Sequence, residues 1–231
     1  MPETKRLIVR AKTVITCDTD APQCNIDFDA LGRIDDAVML IEDGIITSLC
    51  HPEPFDSLRS LRTGSAEGWQ ELNSHDYIIV PGFVDAHAHP LYAGNREPDF
   101  AARTRGEPPP LGMRYTIEQT RQALLDPEAF YEGTVRPRLH TMLAHGTTTL
   151  ETKTGYALHK PGETALLDII ARHKSDPDVP RLVATFLGAH ALPPEFEIER
   201  EPGFIDYLID QVVPAAAAHG AVYADAFCEP G

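Results

Sequence analysis

The sequence is poor in cysteine and contains no long apolar run. Its 231 residues include four cysteines, and no two of them form a C-x-x-C pair. This scarcity argues against a cysteine-rich zinc site and against a disulfide framework, so we expect free thiols in a reducing compartment. No apolar stretch approaches the roughly 18 residues of a membrane-spanning helix, and residues 1–10 lack the apolar core of a secretory signal. The sequence therefore predicts a cytoplasmic protein that does not contact a membrane.

Positive charge is also scarce. The chain has 20 Lys and Arg against 35 Asp and Glu, which gives a formal net charge of -15. A field of this sign repels the phosphate backbone, so we expect no nucleic-acid partner. Apolar residues make up 42% of the chain, which is typical of a globular protein with a real core.

The first eighty residues are rich in β-forming residues. Apolar and β-branched side chains are dense in Arg6–Ala11. Two further apolar runs, Val38–Ile41 and Ile45–Leu49, flank Asp43-Gly44. This dipeptide favours a hairpin, because the turn requires positive φ. We therefore predict a small N-terminal β domain of the β-sandwich type over residues 1–80.

Polar residues separate these runs. The stretches 18–36 and 52–73 are rich in turn-forming residues and predict loops. The apolar run Tyr77–Val80 follows them and predicts one more strand.

From residue 81 onward, predicted strands alternate with predicted helices. The strands are Phe83–Ala86, Thr147–Glu151, Leu182–Leu187 and Ala224–Cys228, and the helices are Ile117–Leu125, Pro127–Ala144, Glu163–Lys174 and Ile205–His219. This alternation indicates an α/β protein with a parallel sheet or barrel. A closed (β/α)₈ barrel has eight strands and typically about 250 residues. Residues 81–231 therefore predict either an open sheet or the first half of a TIM-like barrel whose distal half is absent from this sequence.

The most informative local sequence is Pro81-Gly82-Phe83-Val84-Asp85-Ala86-His87-Ala88-His89. Alternate side chains of a strand point to the same face, so His87 and His89 can approach one metal ion. Neutral imidazole suits zinc, iron or nickel. Two surface histidines in a loop are the alternative, but the preceding apolar strand favours a metal site at its carboxyl end.

Three other residues are candidates for substrate contacts. Arg96 offers a planar fork of donors for a carboxylate. Tyr156 follows Gly155 just beyond a strand end, where its hydroxyl could reach a ligand. His190 lies just past another strand and could donate a hydrogen bond to a carbonyl group or to developing charge. A surface ion pair, a packed tyrosine and a structural histidine are the respective alternatives.

These segments resemble the imidazolonepropionase family of the metal-dependent amidohydrolase superfamily. The motif P-G-F-V-D-A-H-A-H resembles the first metal-binding strand of the superfamily. Four further blocks resemble segments of the family itself: Leu91–Arg96, Gly146–Tyr156, Gly188–Glu195 and Asp225–Glu229. The resemblance covers most of the chain from Tyr77 onward.

The resemblance implies a hydrolase that opens the ring of 4-imidazolone-5-propanoate to N-formimino-L-glutamate in histidine degradation. It implies one divalent metal ion, zinc or iron, with His87 and His89 among its ligands. It also implies that Arg96 binds the carboxylate of the small-molecule substrate. Tyr156 would hold the ring together with His190, which would also serve as a catalytic residue.

The sequence departs from the family pattern in two places. The loop Gly106–Tyr115 differs in composition from the Gly-rich stretch of the family. The later metal ligands of the family, a histidine and an aspartate, have no counterpart up to Gly231, and neither does its water-activating glutamate. We therefore expect the 231-residue chain to be inactive alone. The missing C-terminal half, or a second copy in a homodimer, would have to complete it.

Two other functions remain open at this point. Another amidohydrolase, such as a cyclic amidine or purine deaminase, fits the H-x-H strand equally well. Ammonia release would distinguish it, because ring opening of imidazolone propionate releases none. A truncated barrel without catalytic activity could instead act as a binding module, as the absence of the later ligands suggests.

Overall fold

A computed structural model of the chain describes residues 5–18, 31–51, 68–197 and 203–228. The chain divides into two compact units, Met1–Pro81 and Gly82–Gly231. Within the described ranges, each unit contains one four-stranded sheet. No helix within the described ranges is long and apolar enough to cross a membrane.

The first unit contains a mixed sheet in the order β3-β2-β1-β4. Its strands are β1 (Arg6–Ile15), β2 (Arg33–Glu42), β3 (Ile45–Cys50) and β4 (Trp69–Ile79). Strand β2 is antiparallel to both of its neighbours, whereas β1 and β4 run parallel. Buried residues of β1 and β2 form its main core: Val9, Ala11, Val14, Ala37 and Met39. In the described part of this unit we find one sheet layer, and the second layer of a sandwich stays a prediction.

The predicted hairpin is confirmed. Strands β2 and β3 pair across the turn, where Asp43 has φ 50° and Gly44 has φ 82°. Positive φ at both central residues matches the twist of the flanking strands.

Strand β4 corrects the sequence prediction. Residues 69–73 were expected to lie in a loop, but they pair in parallel with β1, starting at Arg6 and Trp69. Their polar side chains are tolerated because β4 lies at the edge of the sheet and is largely exposed. The ion pair between Arg10 and Glu71, at 2.6 Å, uses one of them. The predicted loop 18–36 is also wrong at its end, because residues 33–36 belong to β2. Residues 19–30 and 52–67 of the two predicted loops lie outside the described ranges.

The second unit confirms the predicted parallel sheet. Its strands are β5 (Phe83–Ala88), β6 (Thr147–Lys153), β7 (Arg181–Ala189) and β8 (Tyr223–Ala226). They pair in chain order and all run parallel. This arrangement is the wall of a partial barrel, and its carboxyl ends all lie at one edge.

Helical segments connect these strands. They are α1 (Glu97–Thr104), α2 (Gly112–Ala123), α3 (Pro127–Phe130), π1 (Tyr131–Val135), α4 (Arg136–Ala144), α5 (Lys160–His173), α6 (Pro194–Glu197), α7 (Phe204–Tyr207), π2 (Leu208–Val212) and α8 (Val213–Ala218). The core between sheet and helices includes the fully buried residues Leu139, Leu150, Leu166, Leu167 and Ile170.

The first π segment interrupts a helix that the sequence predicts as continuous, and the second lies in the predicted helix Ile205–His219, in which Pro214 predicts an interruption. Each one ends directly before an X-Pro pair, Arg136-Pro137 in one case and Val213-Pro214 in the other. Proline lacks the backbone N–H that an α-helical turn requires. A wider turn before it accommodates that loss.

The free thiols are confirmed for the three cysteines that the structure describes, Cys17, Cys50 and Cys228. Cys24 lies outside the described ranges.

Candidate active site at the carboxyl ends of the parallel strands

Four of the predicted site residues gather at one edge of the parallel sheet. His87 and His89 lie at the end of β5, Tyr156 follows β6, and His190 follows β7. The ring centroid of His89 lies 5.1 Å from that of His190 and 5.6 Å from that of Tyr156. The centroids of Tyr156 and His190 are 5.0 Å apart. The rings therefore form one cluster, because parallel strands end at the same edge.

The two histidines of the H-x-H motif face each other through their Nε2 atoms, which are 3.3 Å apart. Two nitrogen ligands at a typical distance from a tetrahedral zinc ion are also about 3.3 Å apart. The side chain of Asp85 accepts a hydrogen bond from the backbone N–H of His87 at 3.1 Å, which helps fix the strand end. The pair therefore fits two adjacent corners of a metal site.

His89 has the chemistry of a metal ligand. Burial, together with the charges of His190, His87 and Lys153, lowers the pKa of His89 to about 4. The imidazole is therefore neutral near pH 7 and keeps a lone pair for a metal ion. Its Nδ1 atom is buried and has no hydrogen-bond partner within the described ranges.

The pair does not make a complete metal site. The described residues contain no group of three or more His, Cys, Asp or Glu side chains that could hold a metal ion. Catalytic zinc usually has three protein ligands and one open position.

Arg96 is held by a buried carboxylate. Its Nε donates to Asp99 at 2.6 Å, and Asp99 is 3% exposed. The backbone N–H groups of Leu111 and Gly112 also donate to Asp99. Burial alone would raise the pKa of Asp99, but these hydrogen bonds and the Arg96 charge outweigh it and lower the pKa. Only the Nε atom of Arg96 donates a hydrogen bond within the described ranges, so its terminal nitrogens remain available for a ligand.

The charges of two guanidinium groups act on Tyr156. Burial and the neighbouring Tyr92 raise the pKa of Tyr156, whereas the charges of Arg96 and Arg138 oppose the rise. The phenol is therefore a hydrogen-bond donor at neutral pH. Arg96 acts on this cluster through its charge.

The hydrogen bonding of His190 changes the role that the sequence predicts. Its Nδ1 lies 2.9 Å from the carbonyl oxygen of Gly155. A carbonyl only accepts, so Nδ1 carries the proton. In the neutral ring, Nε2 is then an acceptor. His190 can donate from Nε2, the role expected from the sequence, only when the imidazole is protonated.

Arg138 and Tyr92 support the cluster, although no sequence motif predicts a role for them. Arg138 donates to the carbonyl oxygens of Pro90 at 2.8 Å and Tyr92 at 2.5 Å. Its guanidinium also lies 3.9 Å from the ring centroid of Tyr92, and the Tyr92 ring is 5.5 Å from that of Tyr156. Arg138 therefore fixes the segment that follows His89.

A buried lysine near the cluster was also missed. Lys153 is 3% exposed, and its Nζ donates to Glu151 at 2.8 Å and to Asp225 at 2.9 Å. Thr185 donates to the same oxygen of Glu151 at 2.6 Å. Burial alone would lower the pKa of Lys153, but the two carboxylates outweigh it and raise the pKa. This network joins β6, β7 and β8 beside the candidate metal ligands.

A solved structure has a fold similar to that of this chain. The structure of E. coli guanine deaminase matches with a TM-score of 0.50 and 18% identity, over 89% of this chain and 42% of that one. At this level of identity the likeness concerns the fold alone. The chain has an amidohydrolase type of fold, in which β5–β8 form part of a barrel.

Sequence similarity relates the chain to a group of curated enzymes. An imidazolonepropionase from Parabacteroides distasonis is 35% identical over 242 residues, covering 100% of this chain and 55% of the relative. Another from Herpetosiphon aurantiacus is 34% identical, covering 100% of this chain and 54% of the relative. The resemblance predicted from the motifs is confirmed, because the chain is similar to imidazolonepropionases along its whole length. No family model matches it. The chain spans about half the length of the curated relatives it matches.

Proposed function

We propose that this chain carries part of the active site of a hydrolase that opens the ring of 4-imidazolone-5-propanoate to N-formimino-L-glutamate, a step in histidine degradation. The observation that carries the proposal is the cluster at the sheet edge. There the facing Nε2 atoms of His87 and His89 lie beside the rings of Tyr156 and His190. Its setting, in a chain similar to imidazolonepropionases, supports this substrate.

We propose that His87 and His89 hold one divalent metal ion, zinc or iron. Such an ion, when bound, lowers the pKa of its water toward neutrality and so supplies hydroxide for attack on a ring carbonyl. The low pKa of His89 supports this role, because a neutral imidazole needs no deprotonation before it binds a metal ion.

The substrate would be bound by Arg96 and by the two remaining residues of the cluster, Tyr156 and His190. The terminal nitrogens of Arg96 suit the propionate carboxylate, since a guanidinium can donate to both of its oxygens. Tyr156 would donate from its hydroxyl to the ring. The Nε2 atom of His190 would accept from a ring N–H when neutral, and would donate to the ring carbonyl oxygen when protonated.

We propose that a further polypeptide segment completes the barrel and the metal site, and that the 231-residue chain alone is inactive. Strands β5 and β8 are the edges of the sheet, and they expose Phe83, Val84 and Tyr223. Unpaired edges of this kind accept further strands. A longer chain would supply the segment in cis, and a second copy would supply it in a homodimer. In this proposal residues 1–80 are a small β domain, residues 81–231 are the first half of the barrel, and the enzyme works in the cytoplasm.

The proposed function is tested with the protein purified from its native source. We expect about one zinc or iron per chain, and N-formimino-glutamate as the product of 4-imidazolone-5-propanoate, with no release of ammonia. Guanine and a cyclic amidine serve as the comparison substrates. Ammonia release from either of them, without turnover of the imidazolone, would assign the protein to a deaminase instead.

Substituting Asp99 tests the carboxylate site. In Asp99→Asn the charged partner of Arg96 is lost, so the guanidinium is held less firmly. We expect the KM for the imidazolone propionate to rise about tenfold with kcat nearly unchanged, because binding is lost equally in the ground and transition states. Steady-state kinetics measures both constants.

Two comparisons make this result specific. The KM of an analogue with an ethyl group in place of the propionate should not change in Asp99→Asn. Asp126→Asn is the matched control, because Asp126 also accepts a backbone N–H at a helix start, that of Ala129 at 3.0 Å. An equal rise in KM for both substrates would argue against the role of Asp99.

A further inference from the structure

Glu163 is a fully buried carboxyl group in the first turn of α5, with 0% of its surface exposed. It accepts three backbone hydrogen bonds: from Gly155 at 3.0 Å, from Ala157 at 3.0 Å and from Leu158 at 2.8 Å. No ion pair to Glu163 occurs within the described ranges. A buried acidic side chain without a cationic partner is uncommon. All three of its donors lie in one short loop.

That loop has an unfavourable backbone. Gly155 has φ 101° and Leu158 has φ 55°. Positive φ is costly for leucine, because its Cβ crowds the backbone. A Cβ at Gly155 would lie 2.5 Å from the carbonyl oxygen of Leu187. The three hydrogen bonds to Glu163 compensate for this conformation, and Tyr156 lies in the middle of the loop.

Glu163 is also linked to His190 by hydrogen bonds to the two backbone groups of Gly155. The N–H of Gly155 donates to Glu163. The carbonyl oxygen of Gly155 accepts from Nδ1 of His190 at 2.9 Å. The placement of Gly155 therefore fixes both the position and the tautomer of the imidazole.

We propose that Glu163 is a positioning residue for the substrate ring. It fixes Tyr156 within its loop, and it fixes His190 through Gly155. The identity of the ring rests on the proposed function, whereas the coupling of Glu163 to the two side chains rests on the hydrogen bonds alone. Glu163 itself does not touch the substrate.

The test is Glu163→Gln in the complete, metal-loaded enzyme. The amide nitrogen of glutamine is a donor, so this side chain cannot accept all three backbone N–H groups. We expect the KM to rise about tenfold for the imidazolone propionate and equally for the analogue that carries an ethyl group, because the ring contacts are shared. This pattern differs from that of Asp99→Asn, which affects the carboxylate substrate alone. Glu163→Asp keeps the charge on a shorter side chain and should give an intermediate KM.

A matched control separates positioning from simple loss of stability. Ile170 lies on the same helix and is 1% exposed, but it belongs to the hydrophobic core. Ile170→Ala should lower stability without changing either KM. In a double-mutant cycle, Glu163→Gln should have a smaller effect when Tyr156→Phe is already present. Independent effects of the two substitutions, or an equal rise in KM in Ile170→Ala, would overturn the proposal.

A measurement without substrate keeps this inference separate from the proposed function. In Glu163→Gln of the 231-residue chain, hydrogen exchange of the amides of Gly155, Ala157 and Leu158 should become at least about tenfold faster. The ¹⁵N signals of the His190 ring should shift as its tautomer is released, and neither change should occur in Ile170→Ala. Unchanged exchange and unchanged ring signals would overturn the role of Glu163 even in an active enzyme. If Glu163→Gln showed these changes but the wild-type enzyme were inactive on the imidazolone propionate, only the proposed function would be refuted.

Discussion

Replacing Lys153 by methionine is expected to lower the free energy of unfolding by about 3 kcal/mol. The methionine side chain has a similar length, so the loss comes mainly from charge. Without the ammonium group, Glu151 and Asp225 face each other with no cation between them. Urea unfolding measures the difference. The exposed Lys160, at the start of α5, provides the control, and Lys160→Met should change stability by less than about 0.5 kcal/mol.

The effect of Lys153→Met should depend on pH. Burial alone would raise the pKa of Glu151, but hydrogen bonds from Lys153 and Thr185, together with the Lys153 charge, lower it. The pKa of Asp225 is also lowered, mainly by its hydrogen bond from Lys153. A carboxylate whose pKa is lower in the folded state than in the unfolded state stabilises the fold at pH values above its unfolded pKa. This stabilisation is lost as the pH falls through the folded-state pKa. The difference between wild type and Lys153→Met should therefore be largest near pH 7 and should shrink below about pH 4. If the difference in unfolding free energy were the same at about pH 3 and at about pH 7, packing rather than charge would be responsible for it.

Removing His89 is expected to weaken zinc binding by at least about 100-fold. The facing Nε2 atoms are placed for one metal ion, and a single imidazole does not hold a divalent ion firmly. The experiment titrates Zn²⁺ into wild type, His87→Ala and His89→Ala and follows binding by calorimetry. Both variants should lose affinity to a similar extent.

The control for zinc binding is His140→Ala. His140 is exposed on α4, outside the cluster, so its removal should leave the affinity unchanged. Equal weakening in all three variants would indicate that zinc binds to surface histidines, and unchanged affinity in His89→Ala would remove the H-x-H pair from the metal site.

Much of the cluster could be predicted from the sequence because it depends on local rules. The two-residue spacing of His87 and His89 places them together whenever they end a strand. Tyr156 and His190 each follow a predicted strand, and parallel strands end at one edge. Prediction of the alternating strands and helices was therefore enough to bring four side chains to the same place.

The supporting residues could not be predicted, because their partners are distant in sequence. Lys153 pairs with a residue 72 positions away, and Arg138 contacts carbonyl groups 46 and 48 positions away. Glu163 is closer to its loop, but nothing in its neighbourhood signals that three backbone N–H groups converge on it. Only the end of strand β4 was predicted, because residues 69–73 are mostly polar and their pairing with β1 uses backbone groups.

The ion pair between Lys153 and Asp225 also favours a curved sheet. These residues belong to β6 and β8, which are separated by β7. In a flat sheet two such strands are about 9.5 Å apart, and their side chains stand nearly perpendicular to the sheet. Side chains on the concave face of a bent sheet converge, so a 2.9 Å bridge across the middle strand favours bending toward that face. The same ion pair that stabilises the unit therefore helps four strands keep the arc of a barrel wall.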